Sequence, residues 1–250
     1  MDALAWWPAG VTAPGYAAVG VLVFIGACLQ GIGGIGFAMF AAPVAVLVAP
    51  MMVPGPLLLL GGTVSLMAAL REPAAIDWTL ARRCIGGRIV GAALAAALMV
   101  VLSPRPLAVA FGVSLLVGVG LSLAGWRIAP NRANSWAAGT LSGLMGTITS
   151  VGAPPLGLLT QQLPPATIRA TIGCIIALGA AASLVMLAIS GLFGWQQCVL
   201  GVALFPWVWA GFQVSSRLAR RISAAHTRRL LLALVAGSAL VVLGKAAVGG

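Results

Sequence analysis

The sequence predicts an all-helical integral membrane protein whose helices form a bundle of two related halves. Apolar residues make up 61% of the 250 residues, charged residues make up 7%, and the mean hydropathy is +1.12. A soluble domain cannot bury that much apolar surface. Many apolar runs approach the roughly 20 residues that a helix needs to cross a bilayer. Two breaks that contain glycine or proline recur at a fixed spacing, which indicates a duplication.

The first stretch of the chain, Met1 to Pro8, contains the acid Asp2, the pair Trp6 and Trp7, and no basic residue. A cleaved signal peptide begins with a positively charged region. We therefore expect the first apolar run to be retained.

Ten apolar segments follow along the chain. Several are too short to span a bilayer alone, and the glycines of Gly31 to Gly36 and the prolines Pro154 and Pro155 should interrupt helices there. The predicted segments are 16–30, 35–49, 54–70, 84–102, 107–125, 137–147, 154–163, 168–190, 196–214 and 229–246.

An internal repeat relates the two breaks. Gln30-Gly31 lies 112 residues before Ser142-Gly143, and Ala42-Pro43 lies 112 residues before Pro154-Pro155. Each repeat is predicted to hold a broken helix or helical hairpin followed by three transmembrane helices. The first repeat covers 1–126 with hairpin 16–49 and helices 54–70, 84–102 and 107–125. After the loop 127–136, the second repeat covers 137–250 with hairpin 137–163 and helices 168–190, 196–214 and 229–246.

The basic residues discriminate between two topologies. If each broken segment crossed the membrane once, 7 of the 14 basic residues would lie on each side. If each broken segment is a hairpin that enters and leaves by one face, 12 lie on one side, against Arg105 and Lys245 on the other. The positive-inside rule favours the hairpins, and they give an inverted repeat with both termini outside, a design of many secondary transporters. Eight plain spans are the alternative.

Three motifs carry a family resemblance. They are Gln30-Gly-Ile-Gly-Gly-Ile-Gly-Phe37 followed by Pro43, Ser142-Gly143 leading to Gly152-Ala-Pro-Pro155, and Ile168-Arg-Ala-Thr-Ile-Gly173. In this order and spacing the sequence resembles the TauE/SafE family of sulfite and organosulfonate exporters, which implies a membrane transporter of small anions. The first half departs from the family pattern at Pro54 to Thr63, where a segment like Arg169 to Gly173 is expected. A symmetric contribution of the two halves is therefore not assured.

Helix breaks inside a membrane offer a binding site for an anion. The second half of a broken helix begins with unpaired N–H groups and about half a positive charge, glycine lets a ligand approach the backbone, and neighbouring hydroxyls can donate hydrogen bonds. Such N-termini are expected at about Ile35 and Pro154. The alternative is that the glycines only permit close helix packing. The candidate substrate-binding residues are Gly31, Gly33, Gly34, Gly36, Phe37, Thr147, Thr149, Ser150, Gly152, Pro154, Arg169 and Thr171.

Arg169 begins an apolar segment directly after the second hairpin. Its planar guanidinium can pair with two oxygens of one anion, so we expect it to bind the anion or to guard the cytoplasmic opening. The alternative is an arginine that anchors its helix at the membrane surface.

Groups for other chemistry are scarce. The acids Asp2, Glu72 and Asp77 lie outside the apolar segments, the one histidine, His226, lies in an arginine-rich loop, and the four cysteines have no metal-ligand spacing. A proton or sodium relay on a membrane carboxylate, a metal site and a cofactor are therefore not expected. A membrane-embedded enzyme is the competing function class, although it usually needs an acid/base pair, a metal or an activated nucleophile.

The expected function is therefore export of a sulfite-, sulfonate- or thiosulfate-class anion across the cell inner membrane. An inside-negative potential expels anions without a coupling ion, and uptake by proton symport is the alternative. The net charge of +11 is explained by basic cytoplasmic loops rather than by nucleic acid. Expected partners are the anionic substrate and membrane lipids, and a homo-oligomer stays open.

Overall fold

The computed structural model describes residues 12–124, 128–218 and 224–248. Within these ranges the chain forms ten α-helices, two short 3-10 turns and no strand. Several sequence predictions concern residues outside them, namely the first eight residues with Asp2, and Arg127, Arg220 and Arg221. The helices are α1 (Ala13–Gly33), α2 (Phe37–Val48), α3 (Gly55–Arg71), α4 (Trp78–Val101), α5 (Pro104–Leu123), α6 (Arg132–Thr149), α7 (Ala153–Thr160), α8 (Pro165–Ile189), α9 (Trp195–Leu218) and α10 (Ala224–Val248).

Among the described residues, five helices are long and apolar enough to cross a membrane: α1, α4, α5, α8 and α9. Their outer surfaces carry large apolar side chains that are well exposed, such as Val101 at 81% and Ile189 at 78%. In water such a surface would be costly, whereas a lipid environment accommodates it. The helical content, the apolar composition and the exposed apolar side chains agree with the predicted membrane protein.

Helix α4 begins earlier than the sequence indicated. Asp77 caps it, because its carboxylate accepts hydrogen bonds from the N–H groups of Thr79 and Leu80, a capping interaction that favours a helix start at this point. Arg82 and Arg83 therefore lie on the first turns of α4 rather than in a loop. Arg88, counted with that loop in the charge analysis, lies eleventh in a helix of 24 residues.

Two breaks interrupt the helices, one between α1 and α2 and one between α6 and α7. Each begins with a residue in the left-handed conformation, Gly34 at φ 75° and Ser150 at φ 65°. The N–H group of each donates to the carbonyl four residues earlier, in Gln30 and Gly146. The breaks thus correspond at a spacing of 116 residues rather than 112, a difference of about one helical turn.

The chain turns back at each break. A side chain at Gly26 would lie 3.3 Å from the carbonyl oxygen of Phe37, and the hydroxyl of Ser142 donates a hydrogen bond to the carbonyl oxygen of Gly152. A continuous helix would separate residues ten or eleven positions apart by about 15–16 Å. The starts of α2 and α7 therefore lie beside the middle of the preceding helices.

Glycines bring α4 and α6 into close contact. Gly139 lies against the carbonyl oxygen of Cys84, and Gly143 lies against that of Arg88, so that any side chain at either glycine would collide with the α4 backbone. From the first contact to the second, the residue number increases by four along α6 and by four along α4. The two helices are therefore parallel. Small residues spaced four apart are a frequent means of close packing between membrane helices.

Helix α8 also runs parallel to α4. The N–H group of Asp77 donates to Thr171 Oγ1 at 3.0 Å, and farther along both helices the side chain of Arg88 lies against Gly179. Since α6 and α8 both run parallel to α4, they begin at the same end of the bundle. The α6–α7 unit therefore returns to the end from which it started.

The α1–α2 unit has the same relation to α3. Helix α9 runs parallel to both α1 and α3, so these two begin at one end of the bundle and the chain returns to that end through α2. The contacts that define these directions are Tyr16 with Ala203, Cys28 with Gly211, Leu59 with Gly201, and Arg71 with Phe212.

Helices α3 and α8 pack against each other at the centre and run in opposite directions. A Cβ built on Gly62, near the middle of α3, would lie 3.0 Å from the Cβ of Ala180 in α8. Glu72 at the end of α3, by contrast, contacts Arg169 near the start of α8.

Candidate functional site

A pocket lies where the two breaks meet α3, α4 and α8. Its volume is about 30 Å³, which is two to three times the roughly 10–15 Å³ that one water molecule needs. The first break contributes Gly36 and the start of α2, and the second break contributes Ser150 to Ala153. Polar groups enter from Gln30, Ser65 and Arg88.

Arg88 is the charged residue of this pocket. It is 1% exposed, and its position in α4 places it about 15 Å from the helix start. Its Nη1 donates hydrogen bonds to the carbonyl oxygen of Ser142 at 3.3 Å and to the hydroxyl of the same residue. Its Nε has no hydrogen-bond partner among the described residues. A buried polar group without a partner is rare in native proteins and points to a ligand or water.

Three glycines leave room for the guanidinium. A side chain at Gly179 would occupy the space of Nε and Cδ of Arg88, one at Gly152 would lie 2.5 Å from Nη1, and one at Gly146 would lie 3.0 Å from Nη2. Gly179 belongs to α8, Gly152 to the second break and Gly146 to α6. The backbone of three elements therefore surrounds a side chain that is large and charged.

The potential in the pocket is positive. The described residues that line it include no carboxylate, and the N-termini of α2 and α7 both point at it, each with a share of positive dipole charge. Pro154 and Pro155 at the start of α7 have no N–H group, so that helix offers few backbone donors. Arg88 is the principal donor of hydrogen bonds.

The side chain of Gln30 forms hydrogen bonds with the backbone of the first break. Its Oε1 accepts a hydrogen bond from the N–H group of Phe37 at 3.1 Å, and its Nε2 donates to the carbonyl oxygen of Gly34 at 3.0 Å and to Ser65 Oγ at 3.3 Å. The N–H group at the start of α2, which the sequence analysis expected to face an anion, is therefore paired with a side chain. Ser65 accepts from Gln30 and keeps a hydroxyl proton to donate.

Four of the twelve predicted site residues line the pocket: Gly36, Phe37, Ser150 and Gly152. Arg169 and the remaining seven lie elsewhere, most of them in packing or capping contacts. Gly31 packs against Ser215, Gly34 packs against Arg169, Pro154 lies near Gly118, and Gly33 is the last residue of α1. The three threonines form hydrogen bonds: Thr147 with Ser183, Thr149 with the carbonyl oxygen of Met145 and the N–H group of Val151, and Thr171 with the N–H group of Asp77.

Arg169 is engaged by an acid. Its Nη2 lies 2.7 Å and 3.0 Å from the two carboxylate oxygens of Glu72, and both side chains are about one-third exposed. The side chain crosses over Gly34, where a Cβ would lie 2.6 Å from its Cγ. The contact ties the start of α8 to the end of α3 and to the first break.

Sequence reasoning did not single out Arg88, the charged residue of this pocket. Arg88 lies inside the predicted span 84–102, and a charge within a span is by default a functional candidate. It was counted with the basic loop instead. Gln30 and Ser65 carried no comparable signal, because neutral polar residues are common at membrane surfaces. No group of histidine, cysteine and acidic residues suited to a metal ion occurs in the described ranges.

The comparison with protein families agrees with the geometry. The sulfite exporter TauE/SafE family matches residues 18–242, a range that contains both breaks, Arg88 and all five candidate spans except the first residues of α1. No curated protein and no solved structure matches the chain. The family is one of transporters, so the enzyme alternative is set aside. This chain is therefore a multi-pass membrane protein that belongs to the sulfite exporter TauE/SafE family.

Proposed function

We propose that this protein exports a small oxyanion of the sulfite class across the cell inner membrane, and that the anion binds to Arg88 between the two breaks. The observation that carries the proposal is a guanidinium that is 1% exposed and whose Nε has no hydrogen-bond partner within the described ranges. Nε and Nη2 form one edge of the guanidinium, which can donate two parallel hydrogen bonds to two oxygens of one anion.

The size of the pocket supports a compact substrate. A volume of about 30 Å³ accommodates an ion of a few atoms, whereas an organosulfonate such as taurine or sulfoacetate carries a carbon chain that needs a wider pocket. Apolar neighbours such as Phe37, Leu57 and Ile176 surround the polar groups. A low-dielectric surrounding strengthens the interaction between Arg88 and an anion.

An inverted repeat is the architecture that we propose for this transport. The parallel directions of α6 with α8 and of α1 with α3 support two hairpins, and the opposite directions of α3 and α8 support inversion of one half relative to the other. Substrate sites at the interface of inverted repeats, formed by broken helices, are common among secondary transporters.

The membrane potential supports export. Moving one charge through 100 mV is worth about 2.3 kcal/mol, so an inside-negative potential drives a divalent anion outward with about twice that energy. In uptake by proton symport the proton travels either on a titratable side chain or on the substrate itself, and the described residues that line the pocket include no carboxylate or histidine.

Efflux from liposomes tests the function. Purified protein in liposomes loaded with sulfite should release it into a chloride-containing bath faster than protein-free liposomes do. Arg88→Gln should reduce efflux to the protein-free rate, because it removes the charge at the site. Arg82→Gln is the matched control, since Arg82 is an exposed arginine of the same helix that bonds its own backbone. Normal efflux by Arg88→Gln would refute the site.

Cysteine labelling tests the topology. In a variant without native cysteines, single cysteines replace Asn131 before α6, Gln162 after α7 and Gly191 after α8, all of which are exposed. The hairpin topology predicts that a membrane-impermeant thiol reagent reaches Asn131→Cys and Gln162→Cys from the same side, and Gly191→Cys from the other. Eight plain spans would place the first two cysteines on opposite sides.

A further inference from the structure

Among the described residues, the groups that form hydrogen bonds with the Arg88 guanidinium are uncharged. Glu72 forms an ion pair with Arg169, and Asp77 caps α4 eleven residues before Arg88, which is about 16 Å along the helix. Asp2 is the one other acid of the chain and lies outside the described residues. No described carboxylate therefore neutralises the site.

Arg88 cannot lose its charge to relieve this situation. Arginine keeps its proton under all conditions that a protein meets, and a buried charge without a counter-charge is unfavourable in a low-dielectric interior. The N-termini of α2 and α7 add positive potential at the same place. The described residues supply no counter-charge, and a mobile anion from solution can supply it.

This requirement has a consequence for the transport cycle. A transporter site must face the two sides of the membrane in turn. With an anion bound, Arg88 passes through that change beside a counter-charge. Without an anion, the same change would enclose an isolated charge, so the return step should be slow.

We propose that the protein is an obligatory anion exchanger, in which a small inorganic anion of the chloride type occupies the Arg88 site for the return step. The proposal rests on the function proposed above and adds a second substrate. A monatomic halide fits a pocket of about 30 Å³ and needs no donors beyond those of Arg88. Exchange of a divalent anion for chloride moves one net negative charge outward, so the membrane potential still drives export.

Efflux with different external anions tests exchange. Liposomes loaded with sulfite are held at zero potential with potassium and valinomycin, and the bath contains either chloride or the impermeant anion gluconate. We expect efflux into chloride to be at least tenfold faster than efflux into gluconate. Equal rates in the two baths would overturn exchange and leave the proposed function standing. Efflux no faster than from protein-free liposomes in either bath would overturn both.

Binding supplies an independent test. Chloride should weaken the apparent affinity for sulfite in proportion to its concentration, as a competitor for one site, with ionic strength held constant by gluconate. Arg88→Gln should bind neither anion, whereas Arg82→Gln should show the same competition as the unmodified protein. A sulfite affinity that does not change with chloride would overturn the proposal even if Arg88→Gln loses sulfite binding.

Discussion

The two breaks share a backbone geometry but differ in chemistry. Each begins with a left-handed residue, Gly34 or Ser150, and each turns the chain back along the preceding helix. The first break is closed by the neutral amide of Gln30, whereas the second lies against the charged Arg88 and the hydroxyl of Ser142. The two breaks thus share one backbone geometry, and different side chains bond to it.

The difference follows from the hydrogen-bonding capacity of the two side chains. The amide of glutamine both donates and accepts, so Gln30 satisfies the N–H group of Phe37 and the carbonyl group of Gly34 at the same time. Arginine has five N–H donors and no acceptor. Arg88 uses Nη1 for Ser142, and its Nε has no partner among the described residues. Under the proposed function the second break is therefore the one that binds the anion.

After removal of the Arg88 charge itself, the largest expected effect on sulfite affinity comes from Gly179. Gly179→Ala places a methyl group where Nε and Cδ of Arg88 lie, so the guanidinium must move. We expect sulfite affinity to fall by tenfold or more, since hydrogen bonds to charged groups contribute about 1.5–3 kcal/mol. Calorimetric titration of the purified variant measures this. Gly157→Ala is the matched control, because nothing lies within 4 Å of a Cβ there, and equal affinities of the two variants would contradict the site.

Gln30 should matter for stability more than for binding. Gln30→Met removes the acceptor for the Phe37 N–H group, and an unsatisfied buried donor costs about 1–3 kcal/mol. Thermal unfolding in detergent should show a lower melting temperature, with sulfite affinity reduced by less than tenfold. Gln30→Glu keeps the acceptor but adds a negative charge to the pocket, so it should weaken sulfite binding more than Gln30→Met does. The reverse order would assign the anion to the first break.

Substitution of Ser142 should have an intermediate effect on sulfite affinity. Ser142→Ala removes the hydroxyl that bonds both Nη1 of Arg88 and the carbonyl oxygen of Gly152. A net loss of about 1 kcal/mol corresponds to an affinity roughly fivefold lower. Ser135→Ala on the same helix is the control, because that buried hydroxyl bonds only the carbonyl oxygen of Asn131. Indistinguishable sulfite affinities in the two variants would remove Ser142 from the positioning of Arg88.

Substitution of Glu72 should have the smallest effect on sulfite affinity. Its ion pair with Arg169 is about one-third exposed, and pairs of this kind are typically worth about 0.2–1 kcal/mol. We expect Glu72→Gln to lower stability slightly and to leave sulfite affinity within about twofold of the unmodified protein. A marked gain of affinity in this variant would show instead that Glu72 competes with the anion for Arg169.

Much of the fold could be predicted from the sequence, because apolar runs are a strong signal in membrane helices. All ten predicted segments coincide with helices, and both breaks fall where glycine and proline indicated them. The start of α4 was placed six residues late, because Arg82 and Arg83 resemble a loop by composition. Their inclusion in the helix depends on the Asp77 cap, which is a weaker sequence signal than charge.

The site was predicted less well, for a physical reason. The sequence predicts either ligand contacts or close packing at the glycines of the breaks. Gly36 and Gly152 line the pocket, whereas neighbouring side chains pack against Gly31 and Gly34. Sequence shows which residues lack a side chain but not what fills the space. In the same way, the pairing of Arg169 with Glu72, 97 positions away, depends on the antiparallel contact of α3 and α8.

A sulfite titration of Arg88→Gln and Arg169→Gln tests the central assignment most directly. Both variants remove one arginine charge near a break, and they differ in whether that charge lines the pocket. We expect Arg88→Gln to lose sulfite binding by about a hundredfold or more, as two charged hydrogen bonds at about 1.5–3 kcal/mol each would give, and Arg169→Gln to bind within about twofold of the unmodified protein. Loss of binding in Arg169→Gln with normal binding in Arg88→Gln would contradict the account and move the anion to the end of α3.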